Sequence, residues 1–114
     1  MCALLSEFNS LGDLRNHLNQ LDESQSQLKR VFILFTGNKD ENGQSWCPDC
    51  NLADPVIKNI LNKDDLLKQD QDQFLTVYVG DRATWKNQEN EFRLDKEFQL
   101  KCIPTLIQWK TVYI

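Results

Sequence analysis

The sequence predicts an α/β domain in three layers, with helices on both faces of a central sheet. Two observations carry that prediction. Short, continuous apolar runs rich in β-branched and aromatic residues, Val31 to Phe35, Phe74 to Val79 and Thr105 to Trp109, alternate with stretches whose apolar residues recur at helical spacing. The 114 residues and 13.4 kDa amount to one domain, and no repeat or low-complexity linker divides them, so 1–114 is read as a single unit.

Leu11, Leu14, Leu18 and Leu21 step by three and four residues, which places one apolar stripe on a first helix with Asn9 or Ser10 as its N-cap. The polar stretch from Asp22 to Gln27 ends it. Val31 to Phe35 fits a strand buried on both faces, as parallel sheets require. The polar segment Thr36 to Ser45 follows, with Gly37 and Gly43 as turn residues. A second helix is expected from Pro48 to Leu61. Pro48 suits the first turn, where its missing N–H costs nothing, and Asp49 suits the positive end of the helix dipole. Pro55 should kink that helix, because it has no N–H for the carbonyl four residues back. Phe74 to Val79 is a strand stopped by Gly80. Phe92, Phe98 and Leu100 are expected core contacts, with a short helix from about Leu94 to Gln99, before the strand that opens at Thr105.

Composition narrows the function. Hydrophobic residues at 40% and charged residues at 26% exclude wholesale disorder. A net charge of −4 argues against nucleic acid, whose binders need a basic face to displace counterions, and against an anionic membrane surface. No apolar run reaches the ~18 residues that span a bilayer, and Met1 to Glu7 lacks a basic leader, so a cytoplasmic location is expected. Cys2, Cys47, Cys50 and Cys102 in that reducing compartment point to metal binding or redox chemistry rather than a disulfide framework.

Trp46-Cys47-Pro48-Asp49-Cys50 is the motif that carries chemistry. Thiols at i and i+3 share one side of a helix's first turn. Cys47, at or before the first helical position, meets unpaired N–H groups and a partial positive charge, so its pKa is expected below the free value of ~8.5. Asp49 partly opposes that depression. Cys47 would be the attacking thiolate, and Cys50 the resolving thiol that releases the reduced substrate. A zinc knuckle is the competing reading. It lacks a second cysteine pair, and Cys2, Cys102 and His17 have no ligand spacing, so no metal is expected.

These residues resemble the thioredoxin superfamily: the W-C-x-x-C motif, Pro55 further along the same helix, and Ile103-Pro104-Thr105 before a strand. More narrowly, the chain is similar to the 14-kDa thioredoxin-related proteins. Phe35-Thr36-Gly37, Lys39-Asp40, Ser45 through Cys50, Val79-Gly80, Trp85-Lys86 and Phe92-Arg93 carry that likeness. The resemblance implies a thioredoxin fold with a central mixed sheet and cytosolic disulfide reduction by Cys47 and Cys50. It implies no bound cofactor: electrons would come from NADPH through thioredoxin reductase as partner. It also implies peroxide removal (peroxidase activity) and a part in inflammatory signalling. By the same likeness Pro104 is the cis-proline facing the Cys47 sulfur, and the backbone of Ile103 pairs with the substrate.

Several features depart from thioredoxin. Leu34 stands where a buried aspartate would serve Cys50 as proton relay. Asp54, four residues after Cys50, is the candidate carboxylate in its place, and it reads best as an exposed acid paired with Lys58. The Thr36 to Ser45 loop, with Lys39, Asp40 and Glu41 exposed, is expected to flank the sulfur and favour small disulfides over large folded ones. Cys102 reads as a semi-buried residue near the site, also able to pair between molecules under oxidation. Cys2 reads as part of a frayed terminus and His17 as a polar-face residue. Trp46 should shield the sulfurs, while Trp85 and Trp109 pack. The resemblance also implies a further edge strand and a last helix that Lys110 to Ile114 is too short to supply. The chain is therefore expected to be C-terminally truncated, a monomer with a tendency to self-associate. Three rivals stand beside the reductase: a glutaredoxin-like enzyme, disfavoured by Trp46 and Asp49, a binding or signalling adaptor that acts by contact, and an incompletely folded chain without activity.

Overall fold

The computed structural model describes residues 4–23, 30–62 and 72–109. Cys2 and Lys110 to Ile114 lie outside them, and so do the expectations placed there. In chain order the elements are β1 (Leu4–Phe8), α1 (Leu11–Glu23), β2 (Arg30–Thr36), α2 (Pro48–Leu61), β3 (Asp72–Tyr78), α3 (Arg82–Lys86), α4 (Glu91–Leu94) and β4 (Thr105–Gln108). The strands form one mixed sheet in the order β1-β3-β2-β4. β3 runs parallel to both β1 and β2, and β4 runs antiparallel to β2.

Strand alternation divides the sheet into two faces. Val31, Ile33 and Phe35 of β2 share one face with Leu75 and Val77 of β3 and Ile107 of β4. There they join Leu14 and Leu18 of α1, together with Trp85, Phe92, Leu100, Ile103, Cys47 and Cys50, in the main core. Phe35 is its centre, edge-on to Phe92 and tilted against Phe98. Phe32, Leu34 and Phe74 point to the other face, where Ile57 and Leu61 of α2 cover them. Helices thus lie on both faces, and the α/β expectation with a central mixed sheet holds.

The first two helices start where their residues dictate. The Ser10 hydroxyl accepts from the Asp13 N–H and caps α1, and Pro48 opens α2. β1 went unforeseen, since the Leu4 to Phe8 segment has no long apolar run; pairing with β3 makes it a strand. The helix expected from about Leu94 to Gln99 is displaced. Asn90 caps α4 by accepting from the Phe92 N–H, and Asp95 accepts from the Glu97 and Phe98 N–H groups, turning the chain there. His17 is not a free polar-face residue: its ring lies 5.1 Å from Phe8, and its Nε2 is 2.9 Å from Gln73 Oε1. Trp85 is buried beneath Arg93, and Trp109 packs on Phe98.

Candidate active site

The start of α2 and the turn before β4 meet at the two sulfurs. Cys47 is the N-cap of α2 in extended geometry, and its Sγ accepts from the Cys50 N–H at 3.2 Å. The Ile103 carbonyl lies 4.0 Å from that Sγ, and the Ile103–Pro104 bond is cis. Both cysteines are free thiols, and each is about nineteen-twentieths buried, with 5% and 4% of its surface exposed. Pro48 and Asp49 lie exposed on the helix's first turn. Cys47, Cys50, Ile103 and Pro104 are therefore gathered at one point, with Pro48 and Asp49 between the thiols.

Trp46 packs against the cluster that contains both sulfurs, and its Nε1 donates to the Gly80 carbonyl at 2.9 Å. Two glycines make room for this arrangement. A Cβ on Gly37 would come within 3.0 Å of the Trp46 ring, and Gly80 has a φ of 120°, which favours glycine. Asn38 ties the same turn by accepting from the Gly80 N–H. The Arg82 guanidinium lies 5.9 Å from the Trp46 ring centre.

The Thr36 to Ser45 loop is built rather than loose. Asp40 Oδ1 accepts from the Asn42 and Gln44 N–H groups, and Lys39 bridges to Ser45 in an antiparallel pair. Lys39 is half-buried, not exposed as expected, because its Nζ is 2.7 Å from Asp54 Oδ2. Lys58, the expected partner of Asp54, lies further off at 3.9 Å. Asp54 is thus an anchor between loop and helix. Beside Trp46 the loop borders a cavity of about 300 Å³ that reaches Asp81.

The Cys47 thiol does not show the expected depression. Burial pushes it up to about 11, helped by Cys50 and by the Asp49 charge, and the backbone N–H of Cys50 opposes the rise only in part. Spacing placed the sulfur at the helix start but could not report how thoroughly Trp46, Ile103 and the core would exclude water from it. Cys102 is exposed rather than semi-buried, with its Sγ 3.9 Å from Thr105 Oγ1. Leu34 is buried among Phe74, Phe32 and Ile57, so the relay position is apolar.

Ser45 and Asn51 bear on the site, and sequence reasoning gave neither a role. The Ser45 hydroxyl accepts from the Cys47 N–H, and the Asn51 carboxamide bonds to both backbone groups of Ser45. Their only sequence signal is a small hydroxyl two residues before the first thiol. Among the described residues, no group of three or more His, Cys, Asp or Glu is placed to hold a metal ion, and no helix is long and apolar enough to cross a membrane.

Comparison with known proteins bears on this geometry. The family model for the thioredoxin domain of thioredoxin domain-containing protein 17-like proteins matches residues 11–113. Thioredoxin-like protein Clot of Oryza sativa is 34% identical over 106 residues, covering 89% of this chain and 75% of the relative. Thioredoxin domain-containing protein 17 of Danio rerio is 40% identical over 83 residues, and that of Homo sapiens 38% over 85. Each of those two alignments covers 73% of this chain and 63% of the relative, so the chain spans less than two-thirds of their length. The matched family supports a thiol–disulfide oxidoreductase type of function in general terms. With its W-C-P-D-C helix start facing a cis-proline, this chain belongs to the thioredoxin domain-containing protein 17-like family of the thioredoxin superfamily.

Proposed function

We propose that this chain is a cytosolic disulfide reductase working through the Cys47/Cys50 couple. The observation that carries the reading is the Cys47 sulfur itself: it caps a helix, accepts the Cys50 N–H and faces the Ile103 carbonyl. A donor aimed at that sulfur favours its anion over its buried thiol at the moment of attack. The Cys47 thiolate attacks one sulfur of a substrate disulfide. A mixed disulfide forms and the other substrate sulfur leaves as a thiolate, which takes up a proton. Cys50 gives up its proton as it attacks Cys47 Sγ. The mixed disulfide breaks, the second substrate thiol departs, and the Cys47–Cys50 disulfide remains. Two electrons pass from protein to substrate, and NADPH returns them through thioredoxin reductase.

The loop that Lys39 anchors to Asp54 beside the start of the helix favours small or protruding disulfides such as cystine over disulfides buried in folded proteins. Peroxide would be reduced by the same couple: the Cys47 thiolate attacks one oxygen, the O–O bond breaks and the other oxygen leaves as hydroxide, which is protonated to water; Cys50 then attacks the sulfenic sulfur, forming the Cys47–Cys50 disulfide and releasing a second water. NADPH consumption with thioredoxin reductase and cystine tests the reading. Wild type should turn over, and Cys47→Ser should lose essentially all of the rate; equal rates would refute it. Turnover with glutathione and glutathione reductase instead would assign the site to the glutaredoxin-like rival.

A further inference from the structure

We infer that Asn51 is a positioning residue for Cys47, acting through Ser45; the inference rests on the dithiol reading above. The Asn51 carboxamide grips the residue before Trp46 by both its backbone groups: Oδ1 accepts from the Ser45 N–H at 2.9 Å, and Nδ2 donates to the Ser45 carbonyl at 2.7 Å. Ser45 is buried, and its hydroxyl accepts from the Cys47 N–H at 3.1 Å. The Asn51 N–H itself donates to the Cys47 carbonyl at 3.1 Å. In this brace the Asn51 side chain holds both backbone groups of Ser45, the Ser45 hydroxyl holds the Cys47 N–H, and the Asn51 main chain holds the Cys47 carbonyl.

The consequence falls on the sulfur. Cys47 accepts the Cys50 N–H only while its backbone keeps the extended N-cap geometry, φ −95° and ψ 109°. That N–H is the contact favouring the anion. Burial, Cys50 and the Asp49 charge oppose it, and from the facing turn the Ile103 carbonyl approaches to 4.0 Å. Arg82, on α3, lies over the Trp46 ring. Without the brace, the Ser45 to Cys47 segment is held by the Trp46 indole on Gly80 and by the Lys39–Ser45 pair. The sulfur then leaves its donor for part of the time, and the thiolate loses support while the core around it is unchanged.

The test is the pH profile of iodoacetamide alkylation at Cys47 in the reduced full chain, read site by site by peptide mass spectrometry. Asn51→Ala and Ser45→Ala should each slow alkylation near neutral pH about three- to tenfold, the worth of one hydrogen bond, and move the midpoint upward. Because one acts through the other, the double variant should be no slower than the slower single. Asn51→Asp keeps the shape and the acceptor but loses the Nδ2–H donor and adds a charge. It should also slow alkylation, which covers the case in which the alanine variant does not fold. Wild-type profiles in Asn51→Asp and Ser45→Ala would overturn the inference, and so would effects that multiply in the double variant. Alkylation needs no reductase, so a failed cystine assay with a positive profile refutes the proposed function and leaves the brace standing.

Discussion

The two faces of the sheet are packed unequally. On the face that holds the sulfurs, Ile33, Phe35, Leu75 and Val77 are wholly buried beneath α1 and the segment from α3 to Leu100. On the other face, among the described residues, Leu34 and Phe74 are covered by Phe32 and by Ile57 and Leu61 of α2, and their neighbours Leu5 and Leu106 are each 52% exposed. The α2 helix adds to this contrast. Its Ile57 and Leu61 turn inward, while Leu52, Val56 and Ile60, four residues apart, form an exposed stripe. The site is therefore built from the sealed side: Cys47 and Cys50 belong to a core that excludes water, and their chemistry inherits its low polarity.

The largest test of this contrast compares neighbours on one strand. Phe35→Ala should cost about 3–5 kcal/mol, because it opens a gap among wholly buried residues and removes the ring contacts with Phe92 and Phe98. Leu34→Ala should cost about 2 kcal/mol, the low end for such a change, since water and the partly exposed α2 can adjust. Urea denaturation measures both, and equal losses would break the distinction.

A smaller effect tests the rim of the sealed face. Burial pushes the Asp95 carboxyl up, but the Arg15 guanidinium and the Phe98 and Glu97 amides more than offset this and hold its pKa below 3.8. Arg15 also lies 4.8 Å over the Phe98 ring, so the pair ties α1 to the turn after α4. A depressed carboxyl stabilises the fold above its unfolded pKa, and that share is lost as pH falls through the lower, folded value. Asp95→Asn should therefore cost about 1 kcal/mol at pH 7 and progressively less below pH 4. Melting temperatures of both proteins across that range check the sign; a constant gap down to pH 2 would refute it. The smallest expected effect is on the open face, where Leu106→Thr should change stability by less than about 0.5 kcal/mol. A larger loss would mean that Leu106 is covered in solution.

Local rules made the centre of the fold and both thiols readable. The α2 helix runs from Pro48 to Leu61 as expected, because proline at the first position and helical spacing after it are written in adjacent residues. Apolar runs likewise marked the middles of β2, β3 and β4. Where stability comes from distant partners, the reading failed. β1 exists through its ladder to β3, and α3 and α4 are short turns held by the Asp81 and Asn90 caps and by Trp85 and Phe92 beneath them. Lys39 reaches Asp54 rather than solvent, and His17 reaches Gln73, because tertiary packing brings those pairs together.

The sequence alone therefore determined where the two thiols stand: three residues apart at a helix start, in a chain with no second pair of cysteines at that spacing. Only the tertiary structure decided how reactive the first of them is at rest. Helix spacing specifies a donor for the sulfur, but the number of apolar groups crowding it depends on chains that meet from Trp46, Ile103 and the sealed face. Burial outweighs one N–H, and the resting thiol is held up near 11 rather than below its free value.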